Sequence, residues 1–270
     1  MNTSVTIKGK ILTIAGSDPS GGAGIQADIK TISALGGYAM AAITALTVQN
    51  SLKVYDVHTI APTIVAAQIT AVLEDIIPDA IKVGMMGNAN ITEHLAQIFM
   101  DNAHIPLIID PVILSTSNHP LLEDKAIDIL RTDIFPLIDV LTPNLAEAAC
   151  LGKCEPIETI DDMRRVGDIL RNLGPKAVLV KGGHLLGGIL TDVLVSDEGI
   201  FEISSPYIPT DNTHGTGCTL SAAIATSIGQ GLDLKAAFSR AHKYVHEAIL
   251  HAPDIGQGNG PLNHLVALDL

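Results

Sequence analysis

The chain has 270 residues, 47% hydrophobic and only 3% aromatic, with 16 basic against 29 acidic side chains and a formal charge of −13. That charge argues against nucleic acid and anionic membrane surfaces as partners, and the absence of tryptophan argues against base stacking as the main binding device. No apolar run reaches the ~18 residues of a membrane span, and three cysteines behind an N-terminus without signal character point to the reducing cytoplasm.

In chain order, apolar runs alternate with helical periodicity. A strand over Ile11–Ala15 ends in Gly16-Ser17-Asp18 and leads through a glycine-rich turn into a helix over Ala23–Leu35. The next strand, Ala39–Leu46, is followed by Gln49-Asn50 and a helix over Pro62–Ile76. Ala80–Val83 runs into Gly84-Met85 and a helix over Ile91–Asn102; Leu107–Ile109 delivers Asp110-Pro111-Val112 and a helix over Leu121–Arg131. Val140–Thr142 delivers Pro143-Asn144, with helices over Leu145–Leu151 and Ile160–Leu173. Ala177–Lys181 ends before Gly182-Gly183-His184. Gly188–Val195 and Ile200–Ser204 read as a hairpin around Asp197-Glu198-Gly199, and helices over Gly217–Gly229 and Leu234–His251 close the chain. Such alternation predicts one α/β domain over 1–270: a mostly parallel sheet with helices on both faces and a small antiparallel edge. Ligands of such sheets bind beyond the carboxyl ends of the strands, where the polar and glycine residues just named fall.

The segment Asn212-Thr-His-Gly-Thr-Gly-Cys218 carries the clearest chemistry. The turn Gly215-Thr216-Gly217 feeds a helix whose first N–H groups and dipole suit an anion such as phosphate. Cys218 lies in that first turn, where a thiol pKa is expected to fall. An inert core cysteine below a glycine turn is the plain alternative. Gly22-Ala23-Gly24 fits a relaxed dinucleotide fingerprint, but its glycines stand six residues past the strand, and no acid ends the next one. The loop reads instead as a substrate cradle, with Asp28 one turn into its helix. Asn144 and Glu147 form an N-terminal cap, and Glu147 at the sheet's edge also suits Mg²⁺ held through water, with Asp110 sharing the task. Lys181 suits a phosphate as a point charge, or solvent at a strand end. Cys150 and Cys154 read as core thiols, and His242 and His246 as surface or interface residues.

Together these segments resemble one family along nearly the whole chain. Ile14-Ala-Gly-Ser-Asp-Pro-Ser-Gly-Gly-Ala-Gly-Ile-Gln-Ala-Asp28, Ile43-Thr-Ala-Leu-Thr-Val-Gln-Asn50, Lys82-Val-Gly-Met85, Asp110-Pro-Val112, Leu141-Thr-Pro-Asn-Leu-Ala-Glu147, Lys181-Gly-Gly-His184, Asn212–Ser221 and Gly258-Asn-Gly-Pro-Leu-Asn-His264 are similar to the signatures of hydroxymethylpyrimidine/phosphomethylpyrimidine kinases. The resemblance implies a ribokinase-like three-layer sandwich and phosphorylation of 4-amino-5-hydroxymethyl-2-methylpyrimidine and then its monophosphate, in thiamine biosynthesis. ATP is the implied co-substrate and Mg²⁺ the cofactor, with a monovalent cation left open. It places Gln49 on the aminopyrimidine, with Gly16, Asp28, Met85 and Val112 lining the pocket. Lys181, Asn144 and His214 fall to the nucleotide, Glu147 and Asp110 to the metal, Gly215, Thr216 and Gly217 to the anion hole, and Cys218 to the base. A cytoplasmic homodimer is also implied, with Tyr244 and Ile249 of the last helix as contributors. One departure is Asn118 where the family usually has glycine, with Thr116 where some members carry lysine; it bears on the second phosphorylation. A pyridoxal kinase of the same fold and a non-catalytic pyrimidine or nucleotide sensor are the rival readings.

Overall fold

The computed structural model describes residues 7–113, 121–183 and 188–266. Thr116, Asn118 and His184 lie outside them. Nine strands form one sheet in the order β3-β2-β1-β4-β5-β6-β7-β8-β9. They are β1 (Lys10–Ser17), β2 (Tyr38–Gln49), β3 (Val54–Thr59), β4 (Ala80–Val83), β5 (Leu107–Ile109), β6 (Val140–Leu141), β7 (Ala177–Val180), β8 (Ile189–Ser196) and β9 (Gly199–Pro206). The pairings from β2 through β1, β4, β5 and β6 to β7 are parallel, while β2–β3, β7–β8 and β8–β9 are antiparallel. The helices are α1 (Gly24–Ala34), α2 (Pro62–Asp75), α3 (Ala89–Asp101), α4 (Asp124–Ile129), α5 (Leu145–Gly152), α6 (Ile160–Arg171), α7 (Thr216–Gly229) and α8 (Leu234–Leu250).

The strands read as continuous apolar runs because both faces are covered, and successive side chains go to opposite layers. Leu12, Ile81 and Ile109 face one layer with Val65 of α2, Leu95 of α3 and Val166 of α6, whereas Ile11, Ala80 and Ile108 face the other with Ile32 of α1, Ile224 of α7 and Phe238 of α8. Helix α7 is buried around its circumference, packed on α1, α8 and the sheet, so its sequence shows no polar stripe. Its N-terminus is thereby fixed at the carboxyl end of the parallel strands.

The structure departs from expectation in several places. Strand β3 does not stand out in the sequence, because Val54–Thr59 pairs on one edge only and buries no side chain. Helix α4 is cut to Asp124–Ile129 and continues as a π turn over Leu130–Ile134 and a 3₁₀ turn over Phe135–Leu137. Cys150 is exposed rather than a core thiol. Tyr244 is fully buried and donates to the His264 carbonyl at 2.8 Å, so it faces the molecule's own core and offers nothing to a partner. His242 is also buried, its Nδ1 3.3 Å from Asp192 Oδ2, and is not a surface residue.

His264 ties the C-terminal segment to the core: its Nε2 lies 3.0 Å from Thr219 Oγ1 inside the α7 layer. Burial, with Lys30 adding, pushes its pKa down to about 4 from an ordinary 6.5. The folded state therefore resists protonating this ring, and the unfolded chain does not. Stability from the neutral ring is present above pH 6.5 and is lost as pH falls toward 4, a loss of order 3 kcal/mol. The urea midpoint is expected to drop across that window, and more shallowly in His264→Asn.

Candidate active site

Two glycine turns meet at the carboxyl end of the sheet. Gly24 opens α1 with φ +57 and Gly215 caps α7 with φ +85, both left-handed conformations that favour glycine. A Cβ on Gly24 would overlap the Gly16 carbonyl oxygen, and one on Gly215 would overlap that of Gly22. The turns are thus pressed together by main chain, and the N-termini of α1 and α7 point into one space. No side chain caps α7; the Thr216 N–H donates to the Thr213 carbonyl at 3.3 Å, which leaves those of Gly217 and Cys218 to an anion. Gly215→Ala is expected to lose about 1–3 kcal/mol from the backbone conformation alone, and kcat with it as the turns separate. Urea denaturation beside steady-state kinetics checks both.

Cys218 stands in the first turn of α7, near the Gly24 amide at the start of α1. Contrary to the sequence expectation, its thiol pKa does not fall. Burial pushes it up to about 11, with Asp28 and Asp110 adding; Lys82 and the Gly24 amide pull the other way without prevailing. The helix-terminus rule is a local one, and desolvation outweighs it here. In the structure described the group is a thiol at neutral pH.

Lys82 comes from the all-buried strand β4 and forms a bidentate ion pair with Asp28 of α1 at 2.9 and 2.8 Å, both side chains 0% exposed. Thr13 Oγ1 donates to the same carboxylate. Burial would strip the Lys82 proton, but the Asp28 charge more than reverses this and holds its pKa above that of an ordinary lysine. Asp28 therefore does not line the pocket as expected; it stands one layer behind, anchoring Lys82. A Cβ on Gly84 would come within 2.9 Å of Lys82 Nζ, which puts the ammonium directly against Gly84. Lys82 drew no functional expectation, although a lysine inside the apolar run Ala80–Val83 is itself a sign of a buried partner.

On the other side of Gly217, Lys181 Nζ donates to Asp110 Oδ1 at 2.7 Å and lies 4.0 Å from Glu147 Oε2. A Cβ on Gly217 would meet Lys181 Nζ at 3.1 Å and Asp110 Oδ2 at 3.2 Å, so this cluster borders the glycine turn directly. Asn144 and Glu147 make a reciprocal capping box on α5, Asn144 Oδ1 accepting the Glu147 N–H and Glu147 Oε2 accepting the Asn144 N–H, each at 2.9 Å. Glu147 Oε1 also accepts the Ile113 N–H at 3.3 Å. Burial, reinforced by Asp110 and opposed by Lys181, raises the Glu147 pKa. Val112 has φ +35, an outlier for a β-branched residue. It is this bend that turns the Ile113 amide toward Glu147.

The residues expected on the substrate side lie at the ends of β1, β2 and β4. A Cβ on Gly16 would lie 3.0 Å from Met85 Sδ, and Thr44 Oγ1 donates to the Met85 carbonyl at 2.6 Å. Gln49 ends β2 with its amide 3.3 Å from His214 Nε2. That nitrogen also lies 2.8 Å from Asp18 Oδ2. His214 is therefore placed against the first loop and Gln49, not beside Lys181 and Asn144 as expected of a nucleotide contact. Asp18 further accepts from Ser20 and from the Gly22 and Ala23 amides. Burial raises its carboxyl, yet the bonds from His214 and Ser20 outweigh that and hold it at about 2. A cavity of about 200 Å³ opens here, lined by Ser20, Ser51, His214, Asn259 and Pro261 among others. The tail 255–261 closes its far wall, a role no periodicity announces.

A family model described as phosphomethylpyrimidine kinase matches residues 18–263. A hydroxymethylpyrimidine/phosphomethylpyrimidine kinase of Synechococcus elongatus is 45% identical over 95% of this chain and 97% of its own; one of Haemophilus influenzae is 41% identical over 94% and 96%. A thiamine biosynthesis bifunctional protein of Geobacter sulfurreducens is 40% identical over 97% of this chain, which spans only 53% of that protein. Among solved structures, an ADP complex of Bacillus subtilis pyridoxal kinase superposes with a TM-score of 0.88 at 34% identity, covering 95% of this chain and 97% of the other. A phosphomethylpyrimidine kinase of Clostridium difficile gives 0.80 at 40% identity, covering 90% and 100%. The ribokinase-like arrangement implied by the sequence is thus shared with solved kinases. Family match, near full-length identity and common fold agree: the chain belongs to the phosphomethylpyrimidine kinase family.

Proposed function

We propose that this protein transfers the γ-phosphoryl group of ATP to the hydroxyl of 4-amino-5-hydroxymethyl-2-methylpyrimidine and then to the monophosphate so formed, as a cytoplasmic homodimer. The observation that carries the reading is the meeting of two glycine turns at Cys218, with the Lys181–Asp110–Glu147 cluster against Gly217. Phosphoryl transfer needs positioning and charge neutralisation more than covalent chemistry. The uncapped amides of α7 supply fixed positive potential without reorganisation, which a protein of charge −13 needs locally. Lys181 adds an ammonium held beside them by Asp110.

Asp110 and Glu147 fit a magnesium ion: both are buried oxygen donors within reach of one lysine. Among the described residues no group of three or more acidic, cysteine or histidine side chains gathers for a tighter metal site, and magnesium commonly takes one or two carboxylates plus water and phosphate oxygens. When bound, the ion would screen charge on the phosphates. The remaining tasks fall to the chain: Gln49, Gly16, Met85 and Val112 orient the alcohol, the Gly215–Gly217 turn holds the transferring group, and the thiolate of Cys218, its minor form at neutral pH, accepts the proton late in transfer.

A coupled ADP-release assay with the aminopyrimidine alcohol, its monophosphate and pyridoxal tests this. Turnover of both pyrimidines with the higher kcat/KM is expected. A clear preference for pyridoxal would replace the assignment with that of a pyridoxal kinase, and no ADP release from any of the three would point to a binding protein.

A further inference from the structure

His214 Nε2 lies 2.8 Å from Asp18 Oδ2 and 3.3 Å from the atom placed as Gln49 Nε2. Asp18 is ionised, and a carboxylate oxygen at that distance from a ring nitrogen requires a hydrogen on the nitrogen. That holds whether the imidazole is neutral or charged. An N–H committed in this way has no lone pair to offer, so an amide NH₂ facing it would meet hydrogen with hydrogen. The atom of Gln49 that suits the position is its carbonyl oxygen, as the second acceptor of a shared donor. Amide ends are assigned from their hydrogen-bonding partners, and here the partner leaves one choice.

His214 is itself held from three sides. Its main-chain N–H donates to the Gly260 carbonyl at 3.1 Å, its ring packs where a Cβ on Gly22 would fall, and Asp18 is fixed by four further donors from Ser20, Gly22 and Ala23. The orientation of Gln49 is therefore set by a rigid frame.

We propose that His214, locked by Asp18, is a positioning residue that turns the Gln49 carbonyl toward itself and presents the Gln49 NH₂ to the ligand, making the site select a ring with an unprotonated nitrogen acceptor. The inference rests on the aminopyrimidine reading and deepens it. A 4-aminopyrimidine keeps the nitrogen beside its amino-bearing carbon free of hydrogen, so that atom accepts from Gln49. In the 4-oxo counterpart the same nitrogen carries hydrogen, and the donor finds none to bond.

Two measurements test this. The first is the ratio of kcat/KM for 4-amino-5-hydroxymethyl-2-methylpyrimidine to that for its 4-oxo analogue. Wild type is expected to favour the amino compound strongly. In His214→Ala that preference should shrink by about tenfold or more, mainly through KM, and His214→Gln, which restores an N–H donor, should recover much of it. An unchanged preference in His214→Ala would overturn the inference. Because the ratio cancels losses common to both substrates, a merely structural role for His214 would leave it in place. The second is neutron diffraction from deuterated wild-type crystals, which needs no variant to fold. Deuterons on the Gln49 atom facing away from His214 support the inference; deuterons on the atom facing it refute it. Wild type that phosphorylates neither pyrimidine would sink the proposed function, while the neutron result would still decide the orientation of Gln49.

Discussion

Cys218→Ala is expected to lower kcat by ~10²–10⁴-fold, the range for loss of a positioned proton acceptor, with KM for the pyrimidine alcohol little changed. The sulfur sits where the N-termini of α1 and α7 meet, and the Gly215–Gly217 turn is immediately upstream. With its pKa raised to about 11, only about one site in 10⁴ carries a thiolate at pH 7. Those that do hold a strong base. The direction of the pH dependence follows: the acceptor form is lost as pH falls below the thiol pKa, so kcat rises with pH through 7–9, toward tenfold per unit. In Cys218→Ala that rise disappears along with the rate. A variant that keeps kcat within about threefold of wild type would remove Cys218 from the chemistry. A large loss with the rise intact would make its contribution one of packing.

Lys82→Met is expected to destabilise the fold by about 3–5 kcal/mol, because it strands the Asp28 carboxylate in a fully buried site. For a chain of this size that corresponds to a fall of roughly 10 °C in Tm. The damage comes from the uncompensated charge and not from the lost attraction, so Lys82→Met with Asp28→Asn should recover most of it. Differential scanning calorimetry of the two variants against wild type measures both effects. A single variant within about 1 kcal/mol of wild type would show that Asp28 is solvated or protonated at little cost, contrary to its complete burial. Recovery of stability without recovery of kcat would show that the positive charge under Gly84 also serves the reaction.

The architecture was largely legible in the residues. Strands Ala80–Val83 and Leu107–Ile109 match the expected limits to the residue, since short apolar runs bounded by turn residues admit few other readings. The hairpin through Asp197-Glu198-Gly199 is found as β8 and β9. Strand β3 escaped because an edge strand with no buried side chain leaves no alternation to read. The π turn after α4 escaped because Leu130–Ile134 keeps an apolar spacing close to that of a helix. Within the site, motif and spacing located the glycine turns, Asp110, Glu147 and Lys181. They did not locate the partners that decide behaviour. That Asp28 belongs to Lys82, that His214 belongs to Asp18 and Gln49, and that burial outweighs a helix terminus at Cys218 all depend on segments far apart in sequence meeting in space. Tyr244 teaches the same: an aromatic on the last helix suits an interface or a core equally until the tail carrying His264 is seen to cover it.

The bend at Val112 joins two parts of the site mechanically. Its unfavourable backbone angle persists because the amide one residue further on is gripped by Glu147. A change that draws Glu147 aside removes that bond, and the Val112 main chain is expected to relax toward an ordinary angle. On the proposed function, a substitution made at Glu147 for a different cation is therefore expected to alter the acceptor side at Val112 as well.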